Sequence, residues 1–400
     1  MPLSVKKRSK ESYFLEKLSM RAKKTQDGVK YSLQNFDKFC KERYHGKDIE
    51  KIVSELKNKS KQNDEVIWDL LQEWVNWNHK NSLAAGSIRR YLSGITKFLN
   101  YSGIKITPQE IRDNVNLPRK IEEEKFPLTR EIIQKIFQVS TYQKKALYLA
   151  LLSSGMRIGE AVSIRKKHLE SVHHNGQVRI KISIPAKVSK NKIGRSVFIS
   201  REAHSYITNK LRQSDENDLV WGVNENRDGA VLAEQVTFGR YLTKIGLGQR
   251  YESTNRRKIS LHSFRSYFFT KASRHDHNFA QLITGHSGYL IREYDRLTTL
   301  EKMEIYLKFE PELIIDDSER LKIKEKLLEK EKSEFEKSEI AINQLKNKLS
   351  IAEIRLNKVF DFVEIISKNH PGSVSIIRDK TKPFHYPGID IGRNDSKSSS

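Results

Sequence analysis

The stretch LHSFRSYFFTKA, residues 261–272, decides how this chain is read. His262 and Arg265 stand three apart, so a helix here puts both on one face, while Phe264, Phe268 and Phe269 anchor the other side. A lone histidine beside aromatics is ordinarily a satisfied core residue. A histidine and an arginine sharing a face in a strongly basic chain point instead to a place that holds an anion.

Two further stretches put similar side chains at the margins of apolar helices. In SSGMRIGEAVSI (153–164), Arg157 follows Gly155 and starts a helix whose apolar face is Ile158, Ala161, Val162 and Ile164. An arginine there can offer a two-pronged fork to a phosphate; the plainer alternative is a surface ion pair with Glu160. In LITGHSGYLIREYDRL (282–297), Gly285 ends a helix, His286 sits at the junction, and Tyr294 follows eight residues later on a short helix.

The charge supplies the context. Of 400 residues, 74 are Lys or Arg and 50 Asp or Glu, a formal +24. Residues 316–368 hold 12 of each sign, and 369–400 hold five basic and three acidic, so residues 1–315 carry +22 of the excess. Such a surface calls for a polyanion, and nucleic acid is the usual one; a general nucleic-acid protein of ribosomal type would share this feature. A single cysteine, Cys40, excludes an internal disulfide and a Cys-rich zinc site and fits a reducing cytosol. No apolar run reaches 18 residues, and the basic start MPLSVKKRSKESYF has no apolar core of a secretory signal, so a cytoplasmic location without membrane spans is expected.

The chain divides by texture. Residues 1–25 read as a basic flexible arm. Residues 26–105 read as a bundle of about four helices, with Ser87 capping the last and Arg89, Arg90 and Lys97 on its polar face, free for DNA. Residues 106–126, charged and with proline, read as a linker. A larger domain follows at 127–315, opening on PLTREIIQKIF with Thr129 as cap and Glu131 in the first turn. Within it, helical patterns cover 141–154, 157–164, 201–212, 234–246, 261–274 and 278–284. VRIKISI (178–184) and RSVFIS (195–200) read as a β-hairpin around the Lys-rich PAKVSKNKIG. From Leu321, apolar residues recur seven apart at Leu328, Phe335, Ile342, Leu349, Leu356 and Val363, so 316–368 reads as a coiled coil, weak at first because Lys324, Glu331 and Ser338 hold the alternate seam positions. Residues 369–400 read as a disordered tail. The fold class expected is mainly α with a small β-hairpin or sheet.

The order Arg157, a hairpin lysine, His262-x-x-Arg265, Gly285-His286 and Tyr294 resembles the signature of tyrosine recombinases of the phage-integrase type. The likeness covers roughly 127–312, and the preceding bundle looks like that family's core-binding domain. The resemblance implies a site-specific recombinase that clamps double-stranded DNA, works as four protomers on two duplexes, and needs neither metal nor ATP. Consistently, the chain has no G-x-x-x-x-G-K-[ST] loop and no H-E-x-x-H. By the same resemblance, Arg157 and Arg265 neutralise the scissile phosphate, His286 adds a hydrogen bond, and His262 is a general base or a second phosphate donor. Each such donor is typically worth about 2.7–4 kcal/mol in the transition state. Tyr294 would form a 3′-phosphotyrosine. Lys187 is the best match to the lysine that protonates the leaving 5′-oxygen, with Lys190 and Lys192 as rivals, or else as plain phosphate contacts.

Two departures stand out. The interval from His286 to Tyr294 is one residue shorter than the commonest family pattern, with Tyr289 as the nearest competitor. Usual members also end soon after a helix like MEIYLKFEPELI (303–314), which docks on a neighbouring protomer; here the extra helical segment would pair protomers or recruit another protein. Two other functions share these residues: a type IB topoisomerase-like relaxase, and a DNA-binding regulator without catalysis.

Overall fold

The computed structural model describes residues 10–286 and 296–369. Tyr289, Tyr294, residues 1–9 of the basic arm and residues 370–400 of the tail lie outside the described residues. The chain divides into two units, 1–315 and 316–400.

The first unit carries two separate apolar cores. One belongs to an N-terminal bundle of α1 (Lys10–Lys17), α2 (Lys23–Arg43), α3 (Ile49–Lys59), α4 (Glu65–Lys80) and α5 (Ala85–Tyr101). Its helices are amphipathic at the 3.6-residue period, and Leu33, Phe36, Phe39, Trp74, Ile88 and Phe98 are sealed from solvent at their centre. The expected arm is partly helical, because Phe14 buries itself against Phe98 and Tyr101 with ring centroids 5.4 and 5.3 Å apart. Ser87 is not the cap of α5: the helix begins two residues earlier, behind Ala84, and lacks a side-chain cap. The expected linker contains a short helix, α6 (Pro108–Asn114), fixed by reciprocal hydrogen bonds between Thr107 and Glu110.

The second core is built from α7 (Arg130–Val139), α8 (Tyr142–Ser154), the one-turn α9 (Ile158–Ala161), strands β1 (Leu169–His174), β2 (Gln177–Ile184) and β3 (Arg195–Ile199), α10 (Arg201–Ser205), α11 (Thr208–Gln213), α12 (Arg227–Lys244), α13 (Leu261–Ser273), α14 (His277–Thr284) and α15 (Thr299–Leu313). Thr129 caps α7 as expected, accepting from the Ile132 amide. The strands form an antiparallel sheet in the order β1-β2-β3, with Ile182 opposite Leu169 on one side and Val197 on the other. The hairpin read from the sequence is therefore two-thirds of the sheet. The helical pattern over 201–212 is broken into two pieces, and α12 starts at Arg227 because Asn226 accepts from the amides of Asp228 and Gly229.

The helix resembling one that docks on a neighbour packs on its own domain. Met303, Tyr306, Phe309 and Leu313 of α15 are fully buried. The Tyr306 hydroxyl donates to the Ser153 carbonyl at 2.9 Å, and Arg179 of β2 grips the buried Glu310 through Nε and Nη2 at 2.7 and 2.5 Å. No helix among the described residues is long and apolar enough to cross a membrane.

The second unit is described here by its single helix, α16 (Asp317–Asn369), 53 residues long. At 1.5 Å per residue it extends about 80 Å. Leu321, Leu328, Phe335, Ile342, Leu349 and Leu356 all face solvent, each at least 47% exposed.

Candidate active site

The three stretches singled out in the sequence converge where α8, α13 and α14 meet. Each owes its placement to a local backbone device. Helix α8 stops at Gly155, whose φ of +64° suits a residue without a side chain. A Cβ there would fall 2.6 Å from the Phe268 ring, so the chain passes this point only as glycine. The backbone freed by this turn leads into α9 with Arg157 at its start. Helix α14 ends in the same left-handed manner at Gly285, which delivers His286.

Arg265 forms the floor. It is 2% exposed, carried by α13 among the buried rings of Phe264 and Phe268. Its Nη1 donates to the Gly155 carbonyl at 2.6 Å, its Nη2 donates to the Thr284 carbonyl, and the same nitrogen lies 3.1 Å from His286 Nε2. The arginine therefore joins the ends of α8 and α14 and holds one histidine beside itself. His262, one helical turn earlier, opens to solvent, as does His286. Burial, then the charges of Arg265, Arg157 and Lys190, push His262 below the ordinary histidine range. Burial, Arg265, Arg157, His262 and Arg195 do the same to His286. The site is thus a concentration of positive charge with two neutral imidazoles at its rim, an arrangement suited to a tetrahedral oxyanion.

Arg157 makes the pair with Glu160 that the sequence allowed, with a buried carboxylate and not a surface one. Its Nη1 lies 3.2 Å from Glu160 Oε1, and its amide donates to Oε2 at 2.8 Å, while about a fifth of its side chain remains accessible. Glu160 is fully buried and is shared with Arg195, which the sequence reading did not single out. Burial would push the Glu160 carboxyl up. The hydrogen bonds and charge of Arg195, then those of Arg157, outweigh it and hold the carboxyl below the usual range. Arg195 also donates through Nε to the Ile283 carbonyl at 2.8 Å, and its side chain covers Gly285. One residue at the start of β3 thereby links two of the three stretches, those of Glu160 and of Ile283 with Gly285, to the lysine-bearing loop. No local pattern marked it, because its partner Glu160 lies 35 residues away.

The hairpin lysines occupy unequal positions. Lys187, Lys190 and Lys192 all lie exposed in the β2–β3 connection. Lys192 folds back, its Nζ donating to the Lys187 carbonyl at 3.3 Å, whereas Lys190 is the one whose charge reaches His262. On the N-terminal bundle, Arg89, Arg90 and Lys97 are exposed on α5; Arg89 donates to the Pro118 carbonyl at 3.1 Å and Arg90 lies over the Tyr91 ring. A further basic cleft, also missed, is lined by Arg240 and Lys244 of α12 with Arg250 and Arg257 of the following loop.

The site gathers arginine and histidine side chains at one place on a mainly helical domain. Residues 127–293 match the sequence model of the Phage integrase family, ending one residue before Tyr294. Tyrosine recombinase XerC of Rickettsia rickettsii (strain Sheila Smith) is 25% identical over 252 residues, covering 59% of this chain and 76% of the relative. XerC of Rickettsia bellii (strain OSU 85-389) is 24% identical over 247 residues with the same coverage. Among solved structures, a lambda integrase dimer bound to a COC′ core site is 14% identical, covering 72% of this chain and 96% of that one, with a TM-score of 0.48. XerH bound to a palindromic difH substrate is 18% identical, covering 76% and 82%, with a TM-score of 0.45. Over residues 127–293 the chain is therefore similar to the phage-integrase family of tyrosine recombinases.

Proposed function

We propose that this recombinase, acting on double-stranded DNA in the cytoplasm, cuts and rejoins strands at specific sites through a phosphotyrosine at Tyr294. The supporting observation is the convergence of Arg157, Arg265, His262 and His286 around one position, with Arg265 buried as its floor. A phosphate seated there meets donors already fixed by the fold, so little reorganisation is needed as charge builds on its oxygens. Tyr294 attacks the phosphorus and the bond to the 5′-oxygen breaks, leaving a 3′-phosphotyrosine and a 5′-hydroxyl. A 5′-hydroxyl of the partner strand then reverses the attack and frees the tyrosine.

The histidine roles follow from their charge state. Because His262 is held neutral by burial and its cationic neighbours, it can take the tyrosine proton. His286, braced against Arg265, donates to the phosphate. For the proton that the leaving 5′-oxygen needs, we favour Lys190 over Lys187 and Lys192, on the ground that its charge reaches His262. Arg90 and Lys97 of the bundle, with Arg240 and Lys244 of the basic cleft, supply phosphate contacts away from the reacting strand. The working assembly is four protomers on two duplexes.

Incubating the full chain with two distinguishable plasmids carrying its attachment sites tests this reading. Joint molecules with exchanged flanks are expected without added nucleotide. Relaxation of supercoils with no exchange would move the activity to a topoisomerase-like relaxase, and tight binding with neither would reduce it to a regulator.

A further inference from the structure

The distal half of α16 carries more apolar surface than one coiled-coil seam uses. One stripe is the sevenfold seam, with Ile342, Leu345, Leu349, Leu356 and Val359. A second consists of Ile340, Ile351, Ile354, Phe362 and Ile365, none of which belongs to that seam. At 3.6 residues per turn the two stripes point roughly 150° apart. All ten side chains are 47–65% exposed. Together they leave on the order of 1,000 Å² of apolar surface in water, above what a monomer ordinarily shows and comparable to one partner's share of a standard interface.

We infer that residues 340–366 bundle with further copies of this chain through both stripes, so that each helix lies between two others and the assembly exceeds a dimer. The charges favour the same chain as occupant. This segment holds four basic and three acidic residues, so it neither repels its own copies strongly nor calls for a partner of opposite sign. With copies parallel and in register along the seam, Lys348 meets Glu353 of the neighbour, and no like charges face each other across that flank. The proximal half behaves in the opposite way. There Glu334 meets Glu339, and Lys324, Glu331 and Ser338 occupy the alternate seam positions, so association starts near Ile342 and the charged stretch before it acts as a spacer. A two-stranded coiled coil would cover the first stripe and leave the second in water.

The test is the mass of the full-length protein without DNA, by sedimentation and native mass spectrometry at micromolar concentration. Wild type is expected above dimer. Leu349→Glu with Leu356→Glu, and separately Ile351→Glu with Ile354→Glu, are each expected to lower the mass to dimer or monomer. Ser350→Glu with Asn357→Glu, on the polar face between the stripes, is expected to leave it unchanged, with circular dichroism verifying helix content in every variant. A monomeric wild type would overturn the proposal and give the stripes to a different partner. A wild-type dimer, or an assembly insensitive to the Ile351 and Ile354 changes, would overturn the two-sided bundle.

Discussion

Arg195 closes a two-point ion pair on the buried carboxylate of Glu160, with Nη1 to Oε1 at 3.0 Å and Nη2 to Oε2 at 2.7 Å, and the same carboxylate holds the Arg157 amide. The pair fixes where Arg157 stands relative to the hairpin loop and to His286. Removing one partner leaves the other charge buried and alone, which typically costs about 3–5 kcal/mol. Arg195→Gln is therefore expected to lower stability by that order in urea unfolding. Pairing it with Glu160→Gln should recover much of the loss, since the stranded carboxylate is gone; a double variant no more stable than the single would contradict the coupling.

A second expectation concerns pH. His262 and His286 are both held below the ordinary histidine value in the folded protein. The unfolded chain binds their protons more readily, so stability is fully present above about pH 6.5 and is lost as pH falls below it. Urea midpoints at about pH 7.5 and about pH 5.5 should differ in that direction, and the difference should shrink in His262→Gln with His286→Gln. A slope unchanged in the double variant would show that other groups carry it.

The lysine assignment separates by leaving-group chemistry. Lys190→Ala should slow cleavage of ordinary DNA by about 10²–10⁴-fold, the usual worth of a placed acid. A 5′-bridging sulfur leaves without a proton, so a substrate carrying it should restore most of the rate. Lys187→Ala should show neither effect. A loss in the Lys190 variant that sulfur fails to restore would reduce that lysine to a phosphate contact.

The DNA surfaces separate by salt. Exposed Lys97 of α5 and Lys244 of the basic cleft are each expected to neutralise one phosphate. Changing either to Gln should lower the slope of log affinity against log salt by about one, evenly across sequences. An unchanged slope would remove that residue from the interface.

How much of this was legible in the sequence depended on the range of the interaction that decides each feature. The helices of the bundle and the β2–β3 hairpin follow from local periodicity, and the three chemistry-bearing stretches from short patterns around Arg157, His262 with Arg265, and His286. Strand β1 was not seen because only Val172 of its six residues is buried, which leaves no alternation to read. The Asn175-Gly176 pair, with φ of +47° and +71°, is a two-residue hairpin signal that could have found it. Helix α1 was hidden because its anchor, Phe14, is defined by Phe98 and Tyr101, more than eighty residues on. Arg195 escaped for the same reason, since its partners Glu160 and Ile283 are distant in sequence and meet only when the sheet packs against α9 and α14.

The central claim is covalent chemistry at Tyr294, and trapping on a nicked suicide substrate from the attachment region measures it most directly. Wild type, without added metal or nucleotide, is predicted to form a protein–DNA adduct that survives a denaturing gel, and Tyr294→Phe to form none. An adduct persisting in Tyr294→Phe would move the nucleophile elsewhere, with Tyr289 the first candidate. No adduct from wild type bound tightly to a verified site would contradict the account.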